Sequence, residues 1–116
     1  MPALTEGKYT AEFILSEGNG TISRETVTVA AAAGAMVPGT LVGKITASGK
    51  YVAYSNAASD GSEVAAGIAY AKVPDLAADQ KAVIIARDAE VSRAELTGLD
   101  AAGEADLKAL GIIVRP

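Results

Sequence analysis

The sequence contains no cysteine, no histidine and no tryptophan among its 116 residues. Without cysteine there is no disulfide, no thiolate nucleophile and no thiolate metal ligand. Without histidine, serine catalysis lacks its usual general base. The metal chemistry that remains is an oxygen-ligand Ca²⁺ or Mg²⁺ site. These absences exclude most classes of enzyme and indicate a structural or binding protein.

Basic residues are few and scattered. Ten Lys and Arg stand against 14 Asp and Glu, for a net charge of −4, and no basic run forms a stripe. Phosphate binding needs a basic face, so we expect no nucleic-acid partner. The longest run of small apolar residues, 29–37, is mostly alanine and is interrupted by Gly34, so it cannot span a bilayer and we expect no membrane partner.

Large apolar side chains are also scarce. Apolar residues make up 50% of the chain, but 25 of these 58 residues are alanine. A buried large aliphatic side chain contributes roughly 1.5–3 kcal/mol, and alanine contributes much less. A single domain of this size with so lean a core is marginal alone. The composition therefore favours oligomerisation.

Short apolar stretches separated by glycine, proline and polar turns predict most of the secondary structure. The segment Arg24–Ala30 alternates, with Val27 and Val29 on one face, which is typical of a half-buried strand. The glycine-rich segment Pro38–Tyr70 reads as several short strands joined by turns. The predicted strands are 24–30, 41–46, 51–54, 64–70, 82–86, a short one around 90–91, and 112–115.

One helix is predicted near the end of the sequence. Asp100 is a suitable N-cap, and the helix then runs to about Leu110 before Gly111 as C-cap. We therefore predict a mainly β fold: a small β-rich single domain, barrel-like or of β-tulip type, with one short C-terminal helix. No internal repeat is evident.

The first 25 residues differ in composition from the rest. Tyr9–Leu15 is β-prone, and the turn-forming SEGNGT at 16–21 follows it. We interpret residues 1–25 as an extended N-terminal arm outside a domain at 26–116. The alternative is an ordinary hairpin in which Tyr9–Leu15 pairs with Thr26–Ala30.

The acidic and nucleophilic side chains lie in predicted turns or on predicted surfaces, which account for them without a catalytic or metal site. Asp60 and Glu63 share a loop that lacks the ladder of spaced acidic residues of a calcium site, so we predict no metal site and no cofactor. Asp88 and Glu90 would share a strand face as surface groups close to arginines. Ser48 and Lys50 read as part of a hairpin turn rather than as a catalytic dyad.

Two kinds of binding module stay open as alternatives. Biotinyl and lipoyl carrier domains present a lysine at a hairpin tip, where Lys50 is predicted, although the flanking residues differ from theirs. Carbohydrate-binding domains use exposed aromatic platforms, for which the chain offers Tyr51, Tyr54 and Tyr70.

An ordered set of short segments resembles the head decoration protein family of tailed bacteriophages, the lambda-type capsid-stabilising proteins. Each segment is only a few apolar residues and glycines, but together they cover nearly the whole chain. They are GTLVGKI (39–45), GKYVAY (49–54), SDG (59–61) and VAAGI (64–68), supported by FILSEGNG and SRETVTV before them and by AVIIAR and LGIIVR after them.

The resemblance implies a non-enzymatic virion protein on the outer surface of the phage head, made in the host cytoplasm. It implies a homotrimer at threefold sites of the expanded head that clamps neighbouring major capsid protein subunits. It also implies an N-terminal arm, residues 1–25, that becomes ordered against the capsid. We expect Tyr9, Phe13 and Leu15 to pack on the capsid, because the two-residue period of a strand places them on one face.

Overall fold

The computed structural model describes residues 13–17, 23–31 and 33–116, and it confirms a mainly β fold with one short C-terminal helix. The described chain forms eight strands, one 3-10 turn (Arg93–Glu95) and one α-helix. Their bounds, in chain order, are β1 (Ile14–Glu17), β2 (Arg24–Val29), β3 (Leu41–Lys44), β4 (Tyr51–Ala53), β5 (Ala65–Ala69), β6 (Gln80–Ile85), β7 (Ala89–Ser92), α1 (Ala101–Ala109) and β8 (Ile112–Arg115).

Five strands form a closed barrel in the order β2-β4-β3-β5-β6. The seam between β2 and β6 is long and antiparallel, running from Arg24 opposite Ile85 to Val29 opposite Gln80. The parallel seam between β2 and β4 is short, with Val29 opposite Tyr51 as its register pair. The barrel is therefore closed by pairing along the whole of β2 on its β6 side and by a short contact on its β4 side.

The remaining strands form a second sheet in the order β1-β7-β8. β1 runs antiparallel to β7, and β8 runs parallel to it. This small sheet and α1 cover one side of the barrel wall, since their residues share a hydrophobic cluster with β3, β5 and β6. The domain thus has a closed barrel and a smaller layer packed against it.

Neighbouring residues of the barrel strands alternate between two cores. Val42, Ala69 and Ile84 belong to a cluster built from barrel strands and the Met36–Val73 bridge, which is the barrel interior. The residues beside them in sequence point to the opposite face because the strand period is two. Together with the small sheet and α1 they form the outer core, whose buried members are Phe13, Leu41, Tyr54, Ala65, Ile68, Ile85, Ala89, Val91, Leu107 and Ile112.

Helix α1 forms as its capping residues predict. The Asp100 carboxylate accepts a hydrogen bond from the backbone N–H of Gly103 at 2.7 Å, and Gly111 takes a φ of 82° just after the helix. The same carboxylate accepts a bond from the Tyr54 hydroxyl at 2.7 Å, and Asp106 accepts one from the backbone N–H of Ala65 at 3.0 Å. Two carboxylates therefore tie the helix to the barrel.

The predicted arm lies partly outside the described residues. Its described part, residues 13–17 and 23–25, contributes β1 to the small sheet and the start of β2 to the barrel. The alternative hairpin is not found in the described part, because β1 pairs with β7 whereas β2 pairs with β6 and β4. An arm separate from the domain thus remains a prediction for residues 1–12, which lie outside the described ranges.

Candidate functional site

The loop around Asp60 is organised by hydrogen bonds within itself. The Asp60 carboxylate accepts bonds from the backbone N–H and the hydroxyl of Ser62, at 3.0 and 2.6 Å, and these bonds lower its pKa. Glu63 accepts a bond from the backbone N–H of Gly61 at 2.8 Å. Across residues 13–17, 23–31 and 33–116, no three acidic side chains gather closely enough to hold a metal ion. This loop has the structure of a turn.

The sequence predicts that Asp88 and Glu90 share a strand face, and this prediction is wrong. Asp88 adopts a φ of 51° in the turn between β6 and β7, and β7 begins only at Ala89. Glu90 lies on β7, where it bonds to Arg115 at 2.7 Å and to the Ser16 hydroxyl at 2.9 Å. The error arose because a two-residue period was extended through a turn, where strand alternation does not apply.

Lys50 is held by an ion pair at the hairpin between β3 and β4. Its ammonium lies 2.6 Å from a carboxylate oxygen of Asp79, and about 40% of its side chain is exposed. The Ser48 hydroxyl accepts a bond from the backbone N–H of Lys50 at 3.3 Å, as expected of a turn. A carrier domain would present this lysine without an ion pair. Here the Lys50–Asp79 ion pair joins the hairpin to the loop before β6.

The three candidate tyrosines do not form an exposed aromatic platform within the described part of the chain. Tyr54 is buried in the outer core, and burial together with the bond to Asp100 raises the pKa of its hydroxyl to about 12. Tyr51 packs partly buried against the barrel interior. Tyr70 is partly buried, with the guanidinium of Arg24 at 4.4 Å from its ring centroid. Each tyrosine therefore has a packing role.

The predicted contact residues occupy different environments. Tyr9 lies outside the described residues. Phe13 is 0% exposed and belongs to the outer core, whereas Leu15 is 58% exposed. Phe13 and Leu15 therefore do not share a face, and the prediction that they do is wrong.

The difference arises where β1 begins, at Ile14, and a β-bulge follows it. Ile14 pairs with Val91 and Ser16 pairs with Glu90, so Leu15 is an extra residue in β1. An extra residue interrupts strand alternation and redirects the side chains that follow it. Phe13 precedes β1, so strand alternation does not govern it. Ile14 pairs with the buried Val91 and packs against the outer core, so alternation exposes Leu15, and the bulge turns Ser16 to the same side.

The outer face of the small sheet carries a second exposed apolar residue, which sequence reasoning missed. Ile113 is 38% exposed and lies opposite Glu90 in the β7–β8 pairing. Ile112, its neighbour, is fully buried. The three consecutive apolar residues of IIVR show no alternation, so the exposed face of this strand could not be assigned before its partner strand was known.

Glu90 occupies the centre of the same face. Its carboxylate bonds to Arg115 and Ser16, and these bonds, that to Arg115 above all, lower its pKa. This outer sheet face, defined here as Leu15, Ser16, Glu90, Ser92, Ile113 and Arg115, therefore combines two exposed apolar side chains with a paired charge.

The described chain thus presents a rigid barrel, a small covering sheet and an apolar surface, and its polar clusters serve turns, caps and ion pairs. These features define a small β domain of the structural or binding class. Comparison of the sequence with known protein families gives a match over residues 3–112 to the family described as Bacteriophage lambda head decoration protein D. The chain belongs to this family, which confirms the resemblance inferred from its segments.

Membership has direct consequences for class and location. The family is one of structural capsid proteins and not of enzymes, and it implies a virion component that binds the phage capsid. No helix among the described residues is long and apolar enough to cross a membrane. A comparison with curated proteins gave no match.

Proposed function

We propose that this chain is a head-stabilising decoration protein that binds as a homotrimer at the threefold sites of the expanded phage head. It clamps neighbouring subunits of the major capsid protein on the outer surface of the virion, after synthesis in the host cytoplasm. The observation that carries the proposal is the family match over residues 3–112. The acidic net charge and the lean, alanine-rich core are consistent with an oligomer that binds protein rather than nucleic acid.

The stabilising mechanism follows from mass action. A protein that binds the expanded lattice and not its alternatives stabilises that lattice by its binding free energy. Three copies in one trimer raise the effective concentration of each contact, so weak contacts sum to tight attachment. The clamp therefore needs no catalytic group.

We assign the capsid contact to the N-terminal segment and its junction with the domain. Tyr9 and Leu15 supply apolar contacts, and an extended segment can add main-chain hydrogen bonds to a capsid strand with little demand on sequence. Phe13, predicted to pack on the capsid with them, is fully buried in the outer core, and we assign it the role of fixing the segment to the domain.

Binding to heads tests this proposal. The purified chain is mixed with expanded heads of its own phage that lack decoration protein, and separately with unexpanded heads, and each mixture is sedimented. We expect co-sedimentation with expanded heads alone, and a higher temperature of head disruption once they are decorated. Absence of binding to expanded heads contradicts the proposal.

A further inference from the structure

The outer sheet face concentrates exposed apolar side chains at one place. Five large hydrophobic residues of the described chain are markedly exposed, and two of them, Leu15 and Ile113, lie on this face. They stand on the two outer strands of a three-stranded sheet, so roughly 10 Å separates them, which is two strand spacings. This spacing suits a single partner surface.

The bulge in β1 adds Ser16 to the face that Leu15 already occupies. It places both Leu15 and Ser16 opposite Glu90, on the face that points away from the outer core. With regular alternation Ser16 would point inward, since Ile14 faces the outer core and Leu15 faces away from it. Bulges commonly redirect a side chain at the edge of a sheet, and this one brings the Ser16 hydroxyl to Glu90.

The charges of this face are already matched to one another. Arg115 donates to Glu90 at 2.7 Å, and the Ser16 hydroxyl donates to the same carboxylate at 2.9 Å. A partner that covers the face does not have to supply a counter-charge, because no charge would be left unpaired, and the Glu90–Arg115 attraction offsets part of the cost of desolvating the two groups. The face can therefore dock against a largely apolar protein surface.

The position of the face in the chain indicates which partner covers it. Residues 1–12 join the domain at Phe13, whose buried side chain fixes that junction at the beginning of β1. The proposed function assigns this segment to the capsid. A partner held by the segment is consequently brought to the edge of the outer sheet face, where a second contact gains from high effective concentration.

We propose that the outer sheet face is the surface of the domain body that docks on the major capsid protein, with Leu15 and Ile113 as its apolar anchors. This inference rests on the proposed function and adds to it a second, folded part of the capsid contact. The body and the N-terminal segment then engage the same shell from adjacent positions.

Paired threonine substitutions test the docking face. The variant Leu15→Thr/Ile113→Thr removes both anchors, and Val64→Thr/Leu76→Thr removes two other exposed hydrophobics, 53% and 45% exposed, that lie outside this sheet. Threonine suits a strand and makes no new charge. Affinity for expanded heads, sedimentation in solution and thermal unfolding are measured for both variants and for the wild type.

The face variant should bind expanded heads about tenfold or more weakly, because it loses the burial of two aliphatic side chains at the contact. Its oligomeric state and unfolding temperature should match the wild type, and the control variant should bind like the wild type. Should the double variant unfold, each single substitution is expected to weaken binding by several-fold.

Three results would overturn the inference, and they are distinguishable. Equal binding by the face variant and the control shows that another surface docks. A change of oligomeric state in the face variant alone shows that this face joins copies of the chain to each other. Failure of the wild type to bind expanded heads refutes the proposed function itself, and the inference with it.

Discussion

Gly39 illustrates how closely two segments of this domain approach each other. It takes a φ of 95° before β3, and a Cβ atom at this position would overlap the backbone carbonyl of Glu95. Gly34 takes a similar φ of 89°, but a Cβ there would have nothing within 4 Å. Comparing substitutions at the two glycines therefore separates the free-energy cost of the backbone conformation from that of close packing.

We predict that Gly39→Ala destabilises the domain more than Gly34→Ala. Both substitutions place alanine in the left-handed region, at a cost of about 1–2 kcal/mol. Gly39→Ala additionally forces backbone movement against Glu95, which we expect to cost about 1–3 kcal/mol more. Urea unfolding of the two variants checks this, and free energies of unfolding that agree within about 0.5 kcal/mol would show that the segments separate at little cost.

At the residue scale, periodicity predicted burial where strands are regular. Val27 and Val29 are buried and Thr26 is exposed, as alternation requires. Phe13 was misassigned because it lies just before β1, where alternation does not apply. The outward position of Ser16 could not be assigned, because a bulge depends on the partner strand and leaves no signal in β1 itself. Asp88 was misassigned because its turn was taken as part of a strand.

At the scale of elements, helix α1 is capped by the carboxylate of Asp100, whose pKa is shifted by the bonds it accepts. The bonds from Gly103 and Tyr54 to the Asp100 carboxylate lower its pKa below the ordinary value of 3.8. A carboxylate with a depressed folded-state pKa contributes stability at pH values above the unfolded value. That contribution is lost as the pH falls through 3.8 towards the folded-state pKa.

We predict that Asp100→Asn reduces the acid sensitivity of the domain. Asparagine keeps an oxygen for both hydrogen bonds but cannot titrate, so its unfolding free energy should fall less than that of the wild type as the pH drops below 3.8. Tyr54→Phe removes one of the bonds that lower the pKa and should give an intermediate slope. The free energy of unfolding is measured with denaturant across this pH range. The same pH dependence in all three proteins would contradict the assignment of this acid sensitivity to Asp100.

The helix and most of the strands could be predicted from the sequence, but which strands pair with each other could not. The strands that became β2 to β8 and the helix were predicted from alternation, turn residues and the Asp100 and Gly111 caps. Nothing local indicates that β1 pairs with β7, since Ile14 and Val91 lie far apart in sequence. The same holds for Ile113, whose exposure became assignable only when its partner strand was known.

At the scale of the whole molecule, two cores on the two faces of one barrel wall compensate for a chain rich in alanine. The barrel interior and the outer core draw on adjacent residues of the same strands, so that β3, β5 and β6 are buried on both faces. This arrangement gives a firm body from few large side chains. A firm body suits a protein that binds the phage capsid.

The central claim is that this body binds the expanded head at its threefold sites, and a cryo-EM reconstruction of expanded heads decorated with the purified chain tests it most directly. We predict density for three copies around each threefold and local threefold position, with the β1-β7-β8 sheet facing the shell and the barrel more distant from it. Undecorated heads, or density at other positions or in single copies, would contradict the account.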